Sequence, residues 1–318
     1  MTDQSDLHLR ETSVQHGPTP IVGTEGALVD AHMHIFPAVV RPSGVASLTM
    51  GRIRDEDGRI VQLMPPSFER SRAPVEVALA TMDLAGVERA LLIGGPTYGI
   101  HDEYVAGVLH RWPNRFAALT TFKAHFGLRA ADDLERWIAD HGFAGVKLEI
   151  PETRRIWGID VDLLGDAEMR AWERCATLGG LLMIHLDPGA SQCAAVRRVA
   201  DAFPALRIIV AHLGQPPSPG WQDQVRLARH PRIYLDCSAL PWFFRDREEY
   251  PFPSARAALE WAVREVGAGK IMWGSDFPSN LLFGTYAQLL GVVTGAPGLT
   301  TEERAALSGR TASTVLTR

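Results

Sequence analysis

Short apolar, β-branched runs alternate with stretches of helical periodicity eight times along this chain, and few architectures accommodate that pattern. The runs fall at 27–32, 88–94, 115–122, 144–150, 181–186, 207–212, 233–238 and 271–274. Apolar positions recur at helical spacing over 75–86, 102–111, 130–141, 166–178, 191–203, 221–230, 254–267 and 284–293. A last helix is expected over 301–316, capped by Thr300 or Thr301, with Glu303 favourable in its first turn. Each helix returns the chain to begin a neighbouring strand, so the strands pair in parallel. Eight such units in 318 residues match a closed (β/α)8 TIM barrel, expected as one domain over 25–318. A doubly wound open sheet is the structural alternative.

One connection breaks the rhythm. Segment 35–73 is rich in Pro, Gly, Arg and Ser, and structureless loops of that length are uncommon in compact domains. It follows the first strand, which places it over the barrel end where active sites sit. A lid or substrate-binding excursion is preferred to a mobile surface insertion.

Composition bears on partners more than on fold. With 46% hydrophobic and 22% charged residues, the chain has material for a large core and a solvated surface. The net charge is −5 and the basic residues are scattered, which argues against a nucleic-acid or anionic-membrane partner. No apolar run approaches the roughly 20 residues of a spanning helix, and the polar start shows no secretory pattern. Residues 1–24 are expected as a flexible tail. Cys175, Cys193 and Cys237 are too few and too widely spaced for a disulfide framework or a thiolate zinc cluster. Reduced thiols fit a cytoplasmic protein.

The chemistry lies at the strand ends. The first strand closes on Asp30-Ala31-His32-Met33-His34, and side chains two apart on an extended chain share a face. Two neutral imidazoles so placed suit Zn²⁺ and similar ions. The fifth run carries His185 next to its end, the sixth ends in His212, and the eighth continues as Trp273-Gly274-Ser275-Asp276-Phe277-Pro278. A barrel gathers these ends around one axis, so residues distant in sequence converge on one site. Core packing alone does not explain four strands ending in groups that ligate metals or move protons.

The His-x-His first strand, the histidines of strands five and six, and Trp273-Gly274-Ser275-Asp276-Phe277-Pro278 resemble the amidohydrolase superfamily. More narrowly they resemble its amidohydrolase-related branch, which includes lactonases and aminocarboxymuconate-semialdehyde-type decarboxylases. Met82-Asp83-Leu84-Ala85-Gly86-Val87, Trp112-Pro113-Asn114-Arg115-Phe116, Gly145-Val146-Lys147-Leu148 and Phe203-Pro204-Ala205-Leu206 fit as well, in the expected order. The resemblance implies a metal centre of His32, His34, His185 and Asp276, with His212 contacting the activated water or the substrate. Zn²⁺ is the expected ion and Mn²⁺ the alternative. Asp276 then doubles as general base, and His212 stabilises developing charge or donates a proton.

Lys147 and Glu149 share the inward parity of strand four, opposite Val146, Leu148 and Ile150. In binuclear relatives a carbamylated lysine on that strand bridges two metals. A single metal is preferred here, because an unmodified Lys147 can pair with Glu149 or Asp187 or hold a substrate carboxylate. Arg52 and Arg54 are weaker candidates for binding an anionic small molecule, since arginine recognises carboxylates bidentately. Asp236 and Ser238 share a parity and read equally as lumen-facing groups or as a structural pair.

Two reactions compete. A hydrolase directs metal-activated water at a lactone or amide carbonyl; a non-oxidative decarboxylase protonates a carbon as carbon dioxide leaves. After His212 comes Leu213-Gly214-Gln215-Pro216. Several aromatic-acid decarboxylases of the branch have Glu three residues past this histidine, whereas lactonase relatives often show His-Leu-Gly-x-Pro. Gln cannot exchange a proton as Glu does, which favours hydrolysis. A barrel that only binds a ligand is the remaining alternative, and a homodimer is the default oligomer.

Overall fold

The computed structural model describes residues 26–316; the tail expected at 1–24 lies outside them. Eight strands form one sheet in chain order: β1 (Leu28–Met33), β2 (Val87–Ile93), β3 (Phe116–Thr121), β4 (Gly145–Glu149), β5 (Leu181–His185), β6 (Arg207–Val210), β7 (Ile233–Asp236) and β8 (Ile271–Met272). Every neighbouring pair is parallel. The sheet edges then meet: Met33 bridges Phe277 in parallel, Ala31 N donates to Trp273 O at 2.9 Å, and Asp276 N donates to His32 O at 2.8 Å. The expected (β/α)8 barrel is the observed one.

Strand alternation separates two apolar layers. Val29, Leu91, Leu119, Leu181, Met183, Ile209 and Met272 pack inside the barrel. Val146, Leu148, Leu182 and Ile184, of the other parity, pack in the layer shared with the helices. Each such buried side chain contributes about 1.5–3 kcal/mol. Ala312, Val315 and Leu316 of the last helix join the interior cluster. Arg207, at the start of β6, donates to Val315 O at 2.6 Å, so this helix closes the end from which the strands begin.

The helices differ from expectation where they touch the site. Ile150–Trp157 is helical immediately after β4, where the apolar run had suggested strand to residue 150. Pro151 lies in its first turn, where a missing N–H leaves nothing unsatisfied. A second unexpected helix, Leu240–Phe244, follows β7 and also carries proline in its first turn. The helices expected over 130–141 and 301–316 each contain a π segment, at Arg136–Asp140 and Ala306–Arg310. Thr300 caps the latter in a reciprocal box with Glu303.

Segment 35–73 is ordered as two antiparallel hairpins, Val40–Arg41 with Gly44–Val45 and Arg52–Arg54 with Ile60–Gln62. Its ends are stapled together by Phe36 and Ala73, which exchange backbone hydrogen bonds at 2.8 and 3.0 Å. Arg41 is buried and donates to Thr97 O at 2.7 Å and Pro96 O at 3.2 Å, and its Nε pairs with Glu56 Oε1 at 2.5 Å. Arg155 holds the other Glu56 oxygen. The excursion is thereby tied to the loop after β2 and the helix after β4. Among the described residues no helix is long and apolar enough to cross a membrane.

Candidate active site and metal cluster

β1 is irregular where its histidines lie. Asp30 is opposite Ala90 and Met33 opposite Leu92, so three steps on β1 match two on β2. This bulge puts His32 at the barrel mouth directly after Ala31, which packs inside. A left-handed backbone re-aims His212 (φ 61°) and Asp276 (φ 53°) at the same level. Such conformations cost non-glycine residues about 1–3 kcal/mol and tend to collect at functional sites. Asp30, unremarked in the sequence, holds the seam: Oδ1 accepts from His32 N (3.0 Å) and Ser275 N (2.9 Å), and Oδ2 from Tyr286 OH (2.7 Å).

Three of the four expected ligands converge. Asp276 Oδ1 lies 3.3 Å from His34 Nε2 and 3.9 Å from His32 Nε2. Ligand atoms on a tetrahedral centre with bonds near 2.0–2.1 Å stand roughly 3.3 Å apart, so the spacing suits a divalent cation. Both rings are fixed from behind: His34 Nδ1 contacts Ile93 O at 2.9 Å, and His32 Nδ1 contacts Asp236 Oδ2 at 3.1 Å. Because those acceptors have no proton to give, each Nδ1 is the donor and each Nε2 presents its lone pair. Burial, and after it the Lys147 charge, presses His32 down to about 4, which keeps it neutral.

Asp236 and Ser238 are both structural and lumen-facing. Asp236 Oδ1 accepts from His212 N at 3.1 Å, from Ser238 N at 3.0 Å and from the Ser238 hydroxyl. Burial alone would raise this carboxyl; the adjacent His32 imidazole, which donates a hydrogen bond to it, holds it below the usual range. Since the Ser238 proton goes to Asp236, Ser238 Oγ accepts from His212 Nδ1 at 2.8 Å. His212 Nε2 is then a lone pair, and burial, reinforced by the neighbouring His185, keeps the ring neutral. His212 therefore accepts a proton before it can donate one. His32, His212 and Asp236 also form a close trio, but its hydrogen bonds already occupy those faces.

His185 falls in neither close cluster, yet it lines the same cavity, its ring centroid 4.6 Å from that of His212. Its Nδ1 lies 3.3 Å from Glu152 Oε2, and its Nε2 is buried with no hydrogen-bond partner. An orphaned buried nitrogen is what a ligated ion satisfies. Burial lowers His185, but the Glu152 charge outweighs it and leaves the imidazole raised. Sequence reasoning missed Glu152, because no helix was expected between the fourth run and residue 166.

Lys147 is fully buried and does not make the expected ion pair. Glu149 instead accepts from Thr97 Oγ1 at 2.9 Å, and Asp187 is held by Arg154 at 2.8 and 2.9 Å. The Lys147 ammonium contacts Met183 Sδ at 3.5 Å, which removes the argument from carboxylate partners for a single metal. Arg52 and Arg54 are exposed, donate to Thr49 O and Gly58 O, and do not line the cavity.

The cavity over the cluster measures about 250 Å³, room for one ring-sized molecule. His32, His34 and Asp276 form its floor, Trp242 and Phe243 from the helix after β7 form an apolar wall, and Leu63 comes from the excursion. Tyr98 links two loops above it, its hydroxyl 2.6 Å from Ser279 Oγ and its ring centroid 4.6 Å from His34. No signal in the sequence had marked Tyr98, Trp242 or Phe243.

A parallel barrel whose strands deliver histidines and an aspartate to one mouth defines a class of (β/α)8 enzyme with a candidate metal site. The amidohydrolase family pattern matches residues 29–318, and the chain belongs to that family. It is 32% identical to the L-fucono-1,5-lactonase of Burkholderia ambifaria over 100 residues, 27% of this chain and 31% of the lactonase. The match thus spans about a third of that relative. The probable 2-pyrone-4,6-dicarboxylic acid hydrolase of Acinetobacter baumannii superposes with TM-score 0.66 at 14% identity, over 91% of this chain and 98% of that one. A dihydroxybenzoic acid decarboxylase of Polaromonas, solved with bound manganese, gives 0.62 at 16% identity, over 91% and 96%. Lactonases and decarboxylases are therefore both among its relatives and neighbours.

Proposed function

We propose that this chain is a metal-dependent hydrolase that opens a small lactone. His32, His34 and Asp276 would hold the ion, with His185 completing the set through its unpartnered Nε2. Three imidazoles and one carboxylate suit Zn²⁺ first and Mn²⁺ second. Such an ion supplies Lewis-acid polarisation of a carbonyl and acidifies water. The chain's own groups handle the protons. Asp276 takes one from the attacking water and returns it to the ring oxygen as the ester bond breaks. His212 Nε2 accepts a hydrogen bond from that water and sets its direction, while Tyr98 and Trp242 enclose the ring.

The observation that carries this reading is the surroundings of His212. Gln215, three residues on, donates its amide to Leu186 O at 2.7 Å and has no proton to deliver to carbon. Decarboxylation remains the second reading because Glu149 and Glu152 bring carboxyl groups to the cavity wall. A panel of lactones and hydroxybenzoates, tested with Zn²⁺- and Mn²⁺-loaded protein, separates the two. Lactone opening without carbon dioxide release is expected; carbon dioxide from the acids with lactones left intact would reverse the assignment.

A further inference from the structure

We propose that Glu149 and Glu152 make this site select an uncharged, hydroxyl-rich lactone and turn away lactones that carry a carboxylate. The proposal rests on the hydrolase reading and specifies its substrate. Among the described residues no lysine or arginine lines the cavity, whereas Glu149 and Glu152, carboxylates outside the proposed ligand set, both do.

Arginines of the excursion and of the segments after β4 and β7 are engaged elsewhere. Arg41 and Arg155 share Glu56, and Arg154 is held by Asp160 and Asp187. Arg245 is folded back on Trp242, 4.4 Å over its ring, and donates to its carbonyl at 2.6 Å. Lys147 is fully buried beneath the site and does not reach the cavity surface.

The two glutamates are fixed groups. Glu149 is buried, bonded to Thr97 Oγ1, and packed so closely on Gly95 that a Cβ there would stand 2.3 Å from its Oε1. Glu152 is held by His185. Their oxygens can only accept hydrogen bonds, so the groups facing them must donate. Hydroxyls do so; a second carboxylate brings like-charge repulsion in a partly desolvated site. Trp242 and Phe243 line the same cavity and offer apolar surface for the C–H face of a ring. Hydroxyls to donate and a C–H face to pack describe a polyhydroxylated lactone.

The test compares three lactones of one ring size on metal-loaded enzyme: a neutral aldonolactone, its counterpart with the terminal CH₂OH oxidised to carboxylate, and an amino-substituted lactone. The corresponding unreactive lactams are titrated calorimetrically in parallel. The neutral member should lead in kcat/KM, and its lactam in Kd, by about tenfold or more over the carboxylate member. Glu149→Gln should narrow that gap several-fold by improving the carboxylate compound. Equal or better use of the carboxylate lactone, or tightest binding of the amino lactam, would overturn the proposal. If no lactone is opened the hydrolase reading fails, and the lactam affinities still decide the charge preference.

Discussion

Asp236 Oδ2 sits 3.1 Å from His32 Nδ1, while Oδ1 of the same carboxylate receives the Ser238 hydroxyl that supports His212. One buried group on β7 thereby sets the tautomers of a candidate metal ligand and of the candidate water-orienting residue. Both rings turn their Nε2 lone pairs away from it.

Asp236→Asn should therefore weaken metal binding even though Asp236 is not itself an expected ligand. Removing such an outer-shell partner typically costs 10–100-fold in metal affinity, about 1.4–2.7 kcal/mol. Titration calorimetry with Zn²⁺ on folded variant protein checks this, and unchanged affinity would contradict the assigned role.

Ser238→Ala separates the two functions of that carboxylate. His32 keeps its acceptor, so metal affinity should stay within about twofold. His212 loses the group that fixes its Nδ1–H, so kcat should fall by roughly tenfold to a hundredfold with KM little changed. A fall in KM-linked binding alone would point to a merely structural serine.

Stripping the ion with a chelator should abolish activity, and one equivalent of Zn²⁺ or Mn²⁺ per chain should restore it. Glu152→Gln should weaken that binding about tenfold if His185 ligates through Nε2, because its Nδ1 would lose a charged partner. Two equivalents bound, with Lys147 carbamylated, would replace the single-metal scheme.

Gly274→Ala should destabilise the barrel by about 1–3 kcal/mol, the usual cost of forcing extra atoms into a packed site. An added Cβ would stand 2.5 Å from His32 Cβ, across the β8–β1 seam. Urea unfolding measures the loss, and the same variant should bind metal less tightly because His32 must move.

The architecture was legible because β-strand and helix periodicities are local properties, and eight alternations leave few ways to bury every apolar face. The candidate ligands were legible for the same reason: His32, His34, His185 and Asp276 stand at strand ends, and a barrel fixes where strand ends go. Parity arguments also placed Lys147 inside, but its lack of a carboxylate partner depended on contacts from other loops, with Arg154 on Asp187 and Thr97 on Glu149.

Local sequence alone was enough for the barrel, the end that holds the candidate site and the residue types gathered there. Tertiary structure decided the direction of each group: the bulge in β1, the left-handed turns at His212 and Asp276, and the short helices that bring Glu152, Trp242 and Phe243 to the wall. Those features lie in no local periodicity, because each is held by contacts between segments far apart in the chain. The pairing of Asp236 with His32 spans 204 positions, and only closure of the barrel brings them within hydrogen-bond reach.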